Sequence, residues 1–198
     1  KIILFCEGNS EKYYFDYFAE IINKDENKYN NVVISTETAN GNAQTVLEHS
    51  IEYLSEEQNN RLFSNYDKYL VFDCDDPKDI ASVITQASSH KNDYRLLVSN
   101  HFFETWLLMH FEEVSEKLSK RKTYRRLSEH LKSQYKKGQK GRTREIIYNG
   151  DIEKAIENAQ KLEKIYALDG KSIYDSIDDM NPYTNVHTLV EQLMLLIS

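Results

Sequence analysis

Tyr69-Leu70-Val71-Phe72-Asp73-Cys74-Asp75-Asp76-Pro77 sets an unbroken apolar run against an abrupt acidic stop. Such a run suits a strand covered on both faces, as in a parallel sheet. Pro77 suits the first turn of a following helix. The same punctuation occurs at the start of the chain. Residues 2–5 are apolar, Glu7-Gly8-Asn9-Ser10 breaks the run, and Ser10 is the expected N-cap of a helix. Tyr14, Phe15, Phe18, Ile21 and Ile22 then recur at helical spacing. Residues 31–36 read as a second strand, Asn40-Gly41-Asn42 as a turn, and Val46, Leu47, Ile51 and Leu54 as a helix face. Residues 80–87 predict a third helix and residues 94–98 a fourth strand, after which Asn100 is expected to cap a fourth helix. The order βαβαβαβα through residue 111 predicts an α/β fold: a parallel sheet of about four strands flanked by helices, with right-handed connections.

Beyond Phe111 strand signals vanish and charged helical patterns take over. Gly138-Gln139-Lys140-Gly141 reads as a turn between helices. Residues 151–168 carry Ile152, Ala155, Ile156, Ala159, Leu162 and Ile165 on one stripe. Asn181-Pro182-Tyr183-Thr184 is expected to initiate a final helix with Val186, Leu189, Val190, Leu193, Leu196 and Ile197 on its apolar face. The expected organisation is an α/β core over 1–111, a basic helical extension over 112–180 and a C-terminal helix over 181–198 that packs back on the core, all in one compact unit.

A chain of 198 residues is long enough to bury a sizeable core. Only 6 Gly and 2 Pro exclude collagen-like and Gly/Pro-rich low-complexity chains. No apolar run approaches 18 residues, so no membrane partner is expected. Lys1, not Met, opens directly into Ile-Ile-Leu-Phe; no signal-peptide pattern is read at this start, which is expected to be an edge of a longer chain or to follow a leader that the sequence lacks. Cys6 and Cys74 form neither a disulfide framework nor a CxxC zinc spacing, and read as reduced thiols of a cytoplasmic protein.

The net charge of −7 conceals a division. Residues 117–144 hold twelve bases and one acid, Glu129, a net +11, while the remainder holds thirteen bases and thirty-one acids, a net −18. Tyr124 and Tyr135 are interleaved with the bases. Lys and Arg neutralise phosphates and tyrosine stacks on exposed bases, so the segment points to nucleic acid; the plain alternative is a solvated helical face.

Ligands of an open parallel sheet bind beyond the carboxyl ends of its strands. Two strands here end in acids, the first at Glu7 and the third at Asp73 and Asp75, with Asp76 adjacent. Residues i and i+2 of an extended chain face one side, so Asp73 and Asp75 are placed to share a hard cation that Glu7 joins. Oxygen ligands favour Mg²⁺ or Mn²⁺. The alternative is a solvated acidic turn. Glu104 is the second anomaly, because Leu107, Leu108 and Phe111 share its helix face. A carboxylate there is costly unless paired or coordinated. It belongs either to the same acidic cluster or to a buried salt bridge elsewhere. His110 and His187 read as structural, and His49, His90 and His130 as surface residues. No HExxH, nucleophile triad, Walker A loop or GxGxxG is present.

Cys6-Glu7-Gly8, Glu11, Tyr14-Phe15 and Val71-Phe72-Asp73-Cys74-Asp75-Asp76 together resemble the Toprim fold family, and in particular the RloB-like proteins. Ser99-Asn100, the run from Phe103-Glu104-Thr105-Trp106 to Phe111, Tyr135-Lys136-Lys137 and Asn181-Pro182-Tyr183-Thr184-Asn185-Val186-His187 continue the resemblance in family order. His101 stands where the family often has Pro, and Asn9 where it is often acidic.

The resemblance implies a metal-dependent nuclease effector of the kind associated with restriction-linked and abortive-infection loci. Such an anti-phage effector works with an ATPase partner and cuts DNA or RNA, in some cases transfer RNA. Asp73 and Asp75 would hold Mg²⁺ or Mn²⁺, with Asp76 nearby and Glu7 as ligand or general base. Glu11 and Glu104 would be secondary acids at the rim. Lys136 and Lys137 would grip the backbone or stabilise transition-state charge, and Arg121, Arg125, Lys140, Arg142 and Arg144 would extend the nucleic-acid surface. A homodimer is a further open expectation. Two rival readings remain at this point: a catalytically inactive module that binds nucleic acid or an ATPase, and an aspartyl phosphatase.

Overall fold

The computed structural model describes every residue except 26, 30, 75 and 76, and the main chain alone at 77–79. The elements in chain order are β1 (Ile2–Cys6), α1 (Asn9–Ile22), β2 (Ile34–Thr38), α2 (Ala43–Ser55), α3 (Glu57–Leu62), β3 (Asp67–Asp73), α4 (Pro77–Ser88) and β4 (Tyr94–Asn100). There follow α5 (Glu104–Met109), α6 (Lys120–Leu131), α7 (Lys140–Asn149), α8 (Ile152–Leu168), a 3₁₀ turn (Ile177–Asp179), β5 (Tyr183–Thr184) and α9 (His187–Ile197). The sheet order is β2-β1-β3-β4-β5, with the first four strands parallel and β5 antiparallel to β4.

The central strands are unbroken apolar runs because both faces of the sheet are covered. Leu4, Cys6, Tyr69, Val71 and Leu97 point into one core with α1, α5, α8 and α9. Ile3, Phe5, Leu70, Phe72 and Val98 point into the other with α2 and α4. Each such side chain contributes roughly 1.5–3 kcal/mol of burial, enough that a one-residue register slip on either strand is heavily disfavoured. The first core draws residues from all three stretches of the chain, among them Phe15, Leu127 and Leu189. No helix among the described residues is long and apolar enough to cross a membrane.

Three local expectations are corrected. Ser10 does not cap α1: Gly8 occupies the cap position without a side-chain bond, and the buried Ser10 hydroxyl accepts from the Gly138 N–H at 2.9 Å. Asn100 does not cap a helix either. It ends β4, donates its amide to the Ile177 carbonyl at 2.7 Å, and α5 starts only at Glu104. Residues 183–184 form a fifth strand ahead of the last helix. Beside it the Asn185 amide accepts from Val98 N–H at 2.7 Å and donates to Leu96 C=O at 2.9 Å. A side chain thus continues the ladder along β4 where the two-residue strand stops.

Candidate metal centre

The site lies where β1 and β3 end side by side. Cys6 pairs with Val71, so the next residue, Glu7, emerges beside the last residues of β3. The Asp73 N–H donates to Glu7 Oε2 at 2.9 Å, and the Glu7 N–H donates to the Val71 carbonyl, also at 2.9 Å. Glu11 sits in the first turn of α1, where the helix dipole favours an acid. A Cβ at Gly8 would lie 3.2 Å from Glu11 Oε2, so the bare backbone of that turn lets the carboxylate fold against it. Glu104 opens α5 and is fully buried; its Oε1 accepts from the Tyr135 hydroxyl at 2.9 Å.

Lys137 reaches this group from far along the chain. Its Nζ stands 3.4 Å from Asp73 Oδ2 and 3.9 Å from Glu104 Oε2. The segment carrying it is pinned at several points. The Tyr135 N–H donates to Ser128 Oγ at 2.9 Å, and its ring lies edge-on to Tyr124. On the far side Gly138 adopts φ +71, a conformation that glycine takes without steric cost, and its N–H meets Ser10.

The electrostatics follow from burial. Desolvation pushes the Glu11 carboxyl up to about 7; Lys137 opposes this, and Glu104 and Glu7 add to it. Asp73 is held well above the carboxylate range, first by burial and then by Glu11, Glu7 and Glu104, against the pull of Lys137. Burial alone would lower the Lys137 ammonium, but Asp73, Glu104 and Glu11 outweigh it and hold it well above the usual lysine value. Both oxygens of Glu11, and Oε2 of Glu104, are buried without a hydrogen-bond partner. Buried carboxylate oxygens in that condition are expensive. Among the described residues no three Asp, Glu, His or Cys side chains are gathered tightly enough to hold a metal ion. The predicted ligands Asp75 and Asp76 lie outside the described residues.

Glu11 and Glu104 are therefore at the floor of the cluster, 1% and 0% exposed, and not at its rim as expected. Glu104 joins Asp73 through their shared lysine instead of pairing with a base elsewhere. Lys137 reaches the acids from the surface, whereas the exposed Lys136 and Arg121 make no ion pair among the described residues. The other bases are largely met by carboxylates. Arg144 and Lys140 converge on Glu20 of α1 at 2.7 and 3.1 Å. Arg142 bonds Glu145 and Ser133, each at 2.6 Å, and Arg125 pairs with Glu129 at 3.5 Å. Arg126 and Lys122 take Glu112 and Glu116 at 2.6 and 2.8 Å. Acids from outside residues 117–144 thus relieve much of the segment's repulsion.

Two participants are hidden in the sequence. Tyr135 reads there as an aromatic among bases and as part of the Tyr135-Lys136-Lys137 match, and nothing in its neighbours signals a hydroxyl directed at Glu104. Ser10 reads as a local cap, a role that it does not have. His110 is structural as expected. It is buried, with Nδ1 at 3.1 Å from the Trp106 carbonyl and Nε2 at 3.0 Å from the Tyr14 hydroxyl. A carbonyl only accepts, so Nδ1 carries the proton and Nε2 accepts from Tyr14.

No curated protein and no solved structure matches the chain. The family model of the RloB-like proteins matches residues 2–193. That stretch runs from the first residue of β1 into α9, and it takes in both acidic strand ends, Glu104, the lysine-bearing turn and the strand that closes the sheet. With its whole architecture spanned by one family match, the chain belongs to the RloB-like proteins.

Proposed function

We propose that this chain is a Mg²⁺- or Mn²⁺-dependent phosphodiesterase acting on nucleic acid. The observation that carries the reading is the group of Glu11, Asp73 and Glu104 around one ammonium, with Glu7 joined to it through the Asp73 N–H and both Glu11 oxygens buried without a hydrogen bond from another residue. The donor set is oxygen alone, which suits a hard cation. Asp73, Glu7, Glu11 and Glu104, drawn closer together than they stand here, would hold it, with Asp75 and Asp76 added from the sequence. A bound divalent cation supplies Lewis-acid polarisation of a phosphoryl oxygen and a water of lowered pKa. Glu7, half-buried where the others are enclosed, would hold the proton of an attacking water. Lys137 is placed to meet charge that develops on the phosphate. Exposed Arg121 and Lys136 would receive flanking phosphates.

The Toprim resemblance supports the same reading. The sheet order and the acids after β1 and β3 are compatible with that fold. An anti-phage role with an ATPase partner, and a cytoplasmic setting in keeping with the buried, reduced thiols of Cys6 and Cys74, belong to the proposal as well.

The test is incubation with single-stranded and duplex DNA and with RNA, transfer RNA included, in Mg²⁺ or Mn²⁺ against EDTA. Cleavage that needs the metal and is lost in Asp73→Asn is the expected result. Cleavage indifferent to EDTA or to that substitution overturns the reading. One observation favours a second reading: Lys137 already pairs with Asp73, as it would in a catalytically silent nucleic-acid-binding module. Tight binding without cleavage of any substrate would establish that alternative. A chromogenic phosphomonoester in the same assay separates both from an aspartyl phosphatase.

A further inference from the structure

We propose that Lys137 is a built-in counter-ion that a divalent cation displaces, so that metal loading and release of this ammonium from the acid cluster are one exchange. The inference rests on the metal-dependent reading above and adds to it the state of the site before metal arrives.

Four carboxylates share this site with one ammonium, which cannot answer the charge that all of them would bear as ligands of a cation. The ammonium is nevertheless the cation that makes so buried a group of acids tolerable, since an unpaired buried charge is strongly destabilising. Its hold is loose. Charge-assisted N–H···O bonds run at about 2.7–2.9 Å, whereas Lys137 stands at 3.4 Å from Asp73 and 3.9 Å from Glu104. It is shared between two acids and locked onto neither. It also comes from the open side: its side chain is 34% exposed, against 2% and 0% for those of Asp73 and Glu104. A lysine stem is flexible and carries a point charge, so it leaves without disturbing its backbone anchors. Those anchors, the Tyr135 N–H on Ser128 and the Gly138 N–H on Ser10, stay in place, and the freed ammonium remains at the mouth of the site. A divalent cation brings twice the charge to the same oxygens and also satisfies the orphaned ones of Glu11.

Linkage makes the exchange reciprocal. If the cation expels the ammonium, deleting the ammonium strengthens cation binding, and cation binding exposes the lysine. Mn²⁺ titration by calorimetry should therefore show Lys137→Met binding on the order of tenfold more tightly than wild type. Lys164→Met, on the exposed side of α8, should bind as wild type does. Independently, pulse acetylation of the wild-type protein, read by peptide mass spectrometry, should label Lys137 several-fold faster with Mn²⁺ than with EDTA, while Lys164 stays constant.

Equal Mn²⁺ affinity in folded wild type and Lys137→Met, or Lys137 labelling that is unchanged or slower with Mn²⁺, overturns the exchange. Mn²⁺ binding by wild type alongside that result leaves the metal reading standing. If neither protein binds Mn²⁺, both fail together. Should Lys137→Met not fold, the labelling experiment on the wild-type chain decides alone.

Discussion

The main-chain N–H of Asp73 donates to the carboxylate of Glu7 at 2.9 Å, so the ends of two neighbouring strands are joined through a side chain that is also a candidate ligand. Glu7 thereby has a structural and a chemical duty, and two substitutions separate them. Glu7→Gln keeps a carbonyl oxygen for the bond but loses the charge. It should retain the thermal midpoint while cleavage falls at least a hundredfold. Glu7→Ala should lose activity equally and also lose about 1–2 kcal/mol of stability, as the Asp73 N–H goes unpaired. Denaturant unfolding of both variants beside a nuclease assay checks the split.

Tyr135→Phe tests the anchor on Glu104. The hydroxyl is the donor to Glu104 Oε1 in a fully buried setting. Its removal should cost roughly 1–3 kcal/mol in urea unfolding. A loss within error of zero would mean that another donor takes over.

The bases divide into two groups with different expected effects on nucleic-acid binding. For every phosphate that the protein no longer neutralises, the slope of log affinity against log salt should fall by about 0.9 on duplex DNA. Arg121→Gln with Lys136→Gln should therefore flatten that slope by about twice this amount. Arg144→Gln should leave it unchanged and lower stability instead, by about 1 kcal/mol, because this side chain ties α7 to Glu20. Fluorescence anisotropy across a salt series and thermal melts of the same variants give both readings.

His110 supplies a pH dependence of definite sign. Burial lowers its imidazole pKa to about 4, below the ordinary 6.5, although its hydrogen bonds to the Trp106 and Leu107 backbone oppose the shift. Between those values the unfolded chain binds the proton and the folded chain does not. The contribution of neutral His110 is full above pH 6.5 and is lost as pH falls toward 4, amounting to about 3 kcal/mol across that window. In His110→Gln this component of the acid-side decline should vanish. Parallel declines for the two proteins from pH 7 to 4 would contradict it.

Both acidic strand ends are legible in the sequence because an apolar run stops on an acid there, and a buried parallel strand has no use for one until it leaves the sheet. Pro77 marks the start of α4 for the same kind of local reason. Glu104 is visible as a carboxylate among apolar neighbours, but its partners are not, since Tyr135 and Lys137 lie more than thirty residues away and look like parts of a surface charge run. Ser10 and Asn100 mislead in the same way. A short polar side chain near a helix start reads as a cap, and sequence does not reveal that a distant N–H or carbonyl claims it first. The strand at 183–184 is too short to show any period. Ranking the bases fails for a related reason: charge is countable along the chain, but its neutralisation by Glu20, Glu112 and Glu116 is a property of packing.

The amide of Asn185 finishes the outer edge of β4 from 87 and 89 residues downstream of the groups that it bonds. During synthesis β4 leaves the ribosome long before Asn185 exists. Throughout translation of α5 to α8 the nascent sheet shows a bare, hydrogen-bonding margin to whatever is nearby. Chains on one polysome emerge at the same stage and close together, so this margin is where they would stick to one another. The final segment is therefore a seal applied late, and a ribosome stalled before residue 185 would release a product whose hazard is aggregation as much as lost activity.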